Sequence, residues 1–222
     1  MTKPYINIHT HHLSEDNGVF LFNNRFGFDK EFYFEKYFSI GIHPWDAYLQ
    51  TSLSEFEKNI QHPNCLAIGE CGFDKIINID LDLQKVVFIY QLDLAVKFQK
   101  PVIIHCVKAY DELTEICATY HSKTALIIHG FNKSLQLAKQ MIDKGFYMSL
   151  NHSMFKREDI DFSVLPLEKL FLETDNNESV LIEEVYKKAA ACFQIQEDDL
   201  KEKIYTNFTA LFKTKPKLPS SE

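Results

Sequence analysis

Pro101-Val102-Ile103-Ile104-His105, an amphipathic run from Ala109 to His121, and then Ala125-Leu126-Ile127-Ile128-His129 form the stretch that decides the fold. Both apolar runs are short, unbroken and rich in β-branched residues, as expected of strands covered on both faces. A helix between two such strands makes the repeating unit of a parallel sheet, with a right-handed crossover. Each strand also ends in histidine.

The unit repeats outward in both directions. Further strands are predicted at Tyr5–His9, Phe38–His43, Cys65–Glu70, Phe146–Leu150 and Lys169–Glu173. Helical patterns fill Ser52–Gln61, Asp82–Gln99, Lys133–Lys144, Ser179–Phe193 and Glu197–Phe212, with apolar residues at three- and four-residue spacing. Residues 17–37 read either as a hairpin or as a strand and a short helix. Seven strands alternating with helices predict a closed parallel (β/α) TIM-like barrel, somewhat distorted, with an open doubly wound sheet as the alternative. Repeats, low-complexity tracts and Pro/Gly-rich linkers are absent from the sequence, so residues 1–212 are read as a single domain. Residues 213–222 carry two prolines, two serines and three lysines and read as a flexible tail.

Composition narrows the class. Of 222 residues, 45% are hydrophobic and 25% charged, which excludes a disordered chain and allows a sizeable core. Apolar runs all fall short of the ~18–20 residues of a membrane span. The first residues enter a strand pattern without a secretory signal, so Asn207-Phe208-Thr209 is not read as a glycosylation site. Five cysteines at 65, 71, 106, 117 and 192 form an odd set without CxxC spacing, so they read as reduced residues of a cytoplasmic protein. The formal net charge of −7 argues against a broad basic face for nucleic acid, though not against a nucleic-acid enzyme whose positive charge is metal.

The chemistry sits at the strand ends. His9-Thr10-His11, His43-Pro44, Glu70, His105, His129 and Asp175 all follow apolar strands. In a parallel barrel these ends open on one face, where the following loops build the active site. Burying so many imidazoles and carboxylates without partners costs several kcal/mol, and a divalent metal is the partner both ligand types share. His9 and His11 share one side of a strand and can chelate one ion together. Six mixed ligands suit two ions about 3.5–4 Å apart better than one tetrahedral site.

His9-Thr10-His11, Gly41-Ile42-His43-Pro44, Ala67-Ile68-Gly69-Glu70-Cys71-Gly72-Phe73-Asp74, Pro101–His105, Ile128-His129-Gly130-Phe131 and Leu172-Glu173-Thr174-Asp175 together resemble the TatD family of metal-dependent hydrolases. Several members of that family are deoxyribonucleases. The motifs come in the family's order and run from residue 5 to about 212. The resemblance implies that His9, His11 and Asp175 hold one ion, that His105 and His129 hold a second, and that Glu70 bridges them. It implies two divalent ions (Mg²⁺, Mn²⁺ or Zn²⁺) and a water activated between them. Asp175 would orient that water and take its proton, while His43 and Lys108 would lie near substrate phosphate. DNA or a nucleotide is the implied substrate; neither a membrane nor an obligate protein partner is implied. The alternative is a metal-dependent amide or ester hydrolase acting on a small molecule.

Departures from the family pattern fall on substrate contacts rather than on ligands. Asn7 stands where an acidic residue is usual, and His105-Cys106-Val107-Lys108 lacks the arginine common two residues after that histidine. The loop after Asp175 is shortened, and Gly18–Tyr37 replaces a longer stretch. Glu173 reads as positioning or structural, and Asp74 faces the site without an assigned role. His12 is expected under the first loop, and His62, His121 and His152 are expected to be exposed. Lys75, Lys133 and Arg157, with Lys108, are the candidate phosphate-binding charges around the mouth.

Overall fold

A computed structural model describes residues 3–12, 18–27, 34–48, 52–157 and 160–214. Eight parallel strands lie in chain order around a barrel: β1 (Tyr5–Thr10), β2 (Gly18–Arg25), β3 (Phe38–Gly41), β4 (Cys65–Asp74), β5 (Val102–Val107), β6 (Leu126–Ile128), β7 (Tyr147–Asn151) and β8 (Leu170–Glu173). The seam between β8 and β1 is narrow. It consists of a single bridge, Thr10 to Asp175, with the Asp175 N–H donating to the His9 carbonyl and the His11 N–H donating to the Asp175 carbonyl, both at 3.1 Å. The expected distorted barrel is therefore present, with register irregularities in the β1–β2, β3–β4 and β4–β5 pairs.

Six helices follow the predicted pattern: α1 (Leu53–Ile60), α2 (Leu81–Phe98), α3 (Tyr110–Cys117), α4 (Leu135–Asp143), α5 (Ile182–Phe193) and α6 (Glu197–Phe212). Side-chain caps start three of them. Ser52 and Ser134 accept from the third residue on, and Asp80 accepts from Asp82 and Leu83. α2 ends at Gln99, whose left-handed conformation (φ 53°) stops the helix.

The eighth strand is β2, inside the segment that the sequence left open. Only residues 11–17 separate β1 from β2, fewer than the dozen or so that a helical crossover takes. Phe32 and Tyr33, and the tail beyond residue 214, lie outside the described residues.

Polar side chains fix helices to the strand ends that matter. On α2, Gln91 Oε1 accepts from Ile42 N at 2.8 Å and its Nε2 donates back to Ile42 O at 3.0 Å, next to His43. Two turns earlier, Gln84 Oε1 accepts from Asp74 N at 2.9 Å and its Nε2 donates to Asp74 O at 3.1 Å. On α5, the Tyr186 hydroxyl accepts from Ile6 N and donates to Ile6 O. On α6, Asn207 Nδ2 donates to the carbonyls of Leu167 and Leu170. Each bond satisfies a buried group and sets how a helix lies on its strand.

Candidate metal centre

The barrel gathers His9, His11, His43, Glu70, His105, His129, Glu173 and Asp175 at the C-terminal ends of its strands, where they form four overlapping groups able to hold a metal ion. His9, buried on β1, is the clearest donor. Its Nε2 stands 3.5 Å from Glu70 Oε2 and 3.7 Å from Asp175 Oδ1, and neither ring nitrogen has a hydrogen-bond partner. His11 Nε2 stands 3.7 Å from Glu70 Oε2 and 3.6 Å from Asp175 Oδ1. These separations are too long for hydrogen bonds. They match the roughly 3.4 Å between two donors that each lie ~2.1 Å from one tetrahedral ion. An orphaned buried imidazole beside two carboxylates at that spacing fits a divalent cation.

The other half of the cluster is closer-knit. Glu70 Oε1 lies 2.6 Å from His105 Nδ1, 2.7 Å from His129 Nε2 and 3.2 Å from His43 Nε2. His105 groups with His43, and their ring centroids are 4.6 Å apart; His129 groups with His9 at 4.2 Å. His105 and His129 thus meet through Glu70 and do not form a group of their own. His43 sits inside the cluster, against Glu70. Lys108 is exposed at the end of β5, in a left-handed conformation (φ 55°).

Charge distribution follows from this packing. Burial pushes the Glu70 carboxyl up, but the charge of His129 and hydrogen bonds from His105, His129 and His43 outweigh it and hold the group well below the usual carboxylate range. Burial likewise lowers His129, yet Glu70 and Glu173 together raise it well above the ordinary histidine value. His11 is pushed down to about 4, first by burial and then by His9. Burial lowers His43 as well.

Asn23 and Arg25 support the cluster without having been singled out by the sequence, and Asp74, Asn7 and Glu173 gain defined partners. Asn23, buried on β2, donates from Nδ2 to Glu70 Oε2 at 3.2 Å and accepts the Glu70 backbone N–H at 3.0 Å. Its signal was a pair of asparagines interrupting an apolar run. Arg25 closes β2 with a two-pronged bond to Asp46 (2.8–3.0 Å), and its guanidinium lies 5.6 Å from the Trp45 ring. Trp45 is about half exposed and donates Nε1 to Asp74 Oδ2 at 2.8 Å; the same oxygen lies 3.4 Å from His105 Nε2. Asp74 therefore links an exposed indole to a histidine of the cluster. Asn7 bonds both ways with Thr174, so it ties β1 to β8. Glu173, fully buried, accepts from Gly130 N at 2.6 Å and stands 3.5 Å from His129 Nδ1.

Three of the four remaining histidines differ from expectation. His12 reaches the loop after Asp175, 3.0 Å from the Asn176 carbonyl and 2.9 Å from Glu178. His62, His121 and His152 are half-buried rather than exposed: His62 lies against Phe34 and Phe38, His121 against Phe146, and His152 against Lys188. Among the other candidate charges, Lys75 pairs with Glu112, and Arg157 donates to the Lys133 carbonyl.

A family model described as TatD related DNase matches residues 22–213. The chain is 27% identical over 151 residues to a protein of Mycobacterium tuberculosis named "Uncharacterized metal-dependent hydrolase TatD", covering 63% of this chain and 57% of that one. It is 30% identical over 146 residues to the "3'-5' ssDNA/RNA exonuclease TatD" of Salmonella typhimurium, covering 61% and 55%. The chain thus matches little more than half the length of these relatives. The fold is similar to the crystal structure of a hydrolase TatD family protein from Entamoeba histolytica, with a TM-score of 0.72, 16% identity and coverage of 96% and 100%.

Proposed function

The chain belongs to the TatD-related DNase family, and from that premise we propose that it is a divalent-metal-dependent hydrolase cleaving phosphodiester bonds at the ends of single-stranded DNA. The observation that carries this reading is the convergence of His9, His11, Glu70, His105, His129 and Asp175 on one face, with His9 orphaned among carboxylates at ligand spacing. In this reading His9, His11 and Asp175 hold one ion, His105 and His129 hold another, and Glu70 serves both. Ions held there supply Lewis-acid polarisation of a phosphoryl oxygen and bring water toward ionisation near neutral pH.

The chain's own residues do the rest. Asp175, partly open to solvent and within 4 Å of both His9 and His11, is placed to orient the attacking water and accept its proton. Glu173 holds His129, and Asn23 holds Glu70, so both keep a fixed aim when charge shifts. His43, tied to Glu70, backs the cluster from within. On the substrate side, Trp45 offers an exposed ring for a terminal base, and exposed Lys108 offers positive charge at the end of β5. The name of the Salmonella relative supports a single-stranded substrate. Residues 1–212 form one catalytic unit in this reading, supported by α5 and α6 packing back on β1 and β8. Five free cysteines support a cytoplasmic setting. Among the described residues, no helix is long and apolar enough to cross a membrane.

The test is hydrolysis of end-labelled single-stranded DNA by metal-stripped protein reloaded with Mg²⁺, Mn²⁺ or Zn²⁺. Metal-dependent shortening, reduced about 10²–10⁴-fold in Asp175→Asn, is expected. Bound metal without shortening of any end would overturn the substrate assignment, and absence of bound metal would overturn the centre itself.

A further inference from the structure

The opposite end of the barrel holds a cavity of about 700 Å³. It lies where Pro101, Ala125, Tyr147 and Lys169 lead into β5 to β8, at the N-terminal ends of the strands. Four lysines line it, Lys100, Lys123, Lys169 and Lys213, and none of the lining residues is acidic. In a chain with net charge −7 this is a local reversal of sign.

Each of the four ammonium groups meets a neutral partner. Lys100 Nζ donates to the Cys65 carbonyl, and Lys213 Nζ donates to Gln99 Oε1 at 3.2 Å. Lys169 Nζ lies 4.1 Å from the centre of the Tyr147 ring, and Lys123 Nζ lies 5.3 Å from that of Tyr120. Elsewhere the pattern differs: Lys75, Lys97 and Lys139 pair with Glu112, Glu57 and Asp143. The wall also carries His121, whose Nδ1 is buried without a hydrogen-bond partner. Burial, and after it the Lys169 charge, keep this imidazole below its ordinary pKa.

Like charges lining one concave surface, without a carboxylate among them, raise the local positive potential, so an anion there gains from several of them. We propose that this cavity is a second binding site, separate from the metal centre, for a small ligand carrying two or more phosphoryl groups. Lysines act as phosphate-binding point charges, and a volume of this size lies in the range of about 300–1,000 Å³ that small ligands fill. Pro101 and Leu211 add an apolar wall, which suits the nucleoside part of a nucleoside polyphosphate. The lysines line one hollow rather than a stripe, which favours a small ligand over a nucleic-acid strand. Nothing in this inference depends on the proposed hydrolysis, because its residues lie at the other end of the barrel.

The test is calorimetric titration of the full, metal-stripped chain at physiological salt with two probes, inorganic tripolyphosphate and a nucleoside triphosphate. One saturable site is expected, weakened about tenfold or more in Lys123→Gln/Lys169→Gln and retained in Lys123→Arg/Lys169→Arg. Lys123 is exposed, so Lys123→Glu alone tests the charge without disturbing the fold. Asp175→Asn, at the metal centre, leaves the affinity unchanged. Tighter binding of the nucleoside triphosphate assigns the apolar wall to a nucleoside, and equal binding assigns the site to the polyphosphate alone. The proposal fails if neither probe saturates, if a folded glutamine variant binds as well as the parent, or if Asp175→Asn abolishes binding.

Discussion

Asn23 and Glu70 share two hydrogen bonds, one from the Asn23 amide to the Glu70 carboxylate and one from the Glu70 backbone to the Asn23 carbonyl. A residue of β2 thereby fixes both the main chain and the charged tip of the glutamate at the middle of the cluster. Ser39 Oγ adds a longer contact, 3.4 Å from Asn23 Oδ1. Asn23→Ala should weaken metal binding by about 10–100-fold, as loss of an outer partner does elsewhere. Metal titration followed by calorimetry checks this. Asn23→Asp should be worse than Ala at neutral pH, because it sets a carboxylate against a carboxylate.

Trp45 tests the substrate side separately. A base stacked on an aromatic ring is worth ~1–3 kcal/mol, so Trp45→Ala should raise KM for single-stranded DNA about tenfold. Trp45→Phe keeps a ring but loses the bond to Asp74. If stacking dominates, Phe restores KM. If the indole acts by holding Asp74 beside His105, Phe behaves as Ala does and kcat falls instead.

Acid should destabilise the metal-free protein. His11 is pushed down to about 4, and His43 and His121 are lowered too, so the folded chain declines protons that the unfolded chain takes up near pH 6.5. The unfolded state then binds more protons, and stability falls as pH drops from about 6.5 toward 4. Glu70, held low, adds to the loss at still lower pH. His129 has the opposite sign. Its contribution is full below about 6.5 and is lost as pH rises through its elevated value. Thermal melts in chelator across this range should show the decline, and an unchanged midpoint between pH 7 and 4.5 would contradict it.

Gly72 marks the tightest backbone approach near the cluster. Its φ is 139°, and a Cβ there would meet the His105 carbonyl oxygen at 2.2 Å. Gly72→Ala should cost about 2–4 kcal/mol, from backbone strain and displacement of β5 together. Denaturant unfolding measures the loss. Since β5 carries His105, metal affinity should fall with it.

The sequence made the barrel and most of the cluster readable for one physical reason. Each donor ends a run buried on both sides, so a polar residue there stands out against its neighbours. β2 stayed open between a hairpin and a strand with a short helix because Leu21-Phe22-Asn23-Asn24-Arg25 mixes turn-forming and apolar residues, and because its link to β1 has too few residues for the crossover helix that announces a parallel strand. Asn23 escaped with it. Arg25, Trp45 and Asp46 meet only once β2 and the turn after β3 are brought together, and such pairs leave no local trace. The half-buried His62 and His121 follow from ring contacts with phenylalanines, which period and polarity do not encode.

The seam between β1 and β8 gives the centre an assembly order. His9 and His11 stand on the first strand described, and their partner Asp175 follows only after seven more strands in the chain. Until then the two histidines have no carboxylate from β8 and no closing backbone bonds. A nascent or truncated chain lacking β8 therefore carries half a chelate. Occupation of the His9, His11 and Asp175 group by an ion would then depend on closure of the ring.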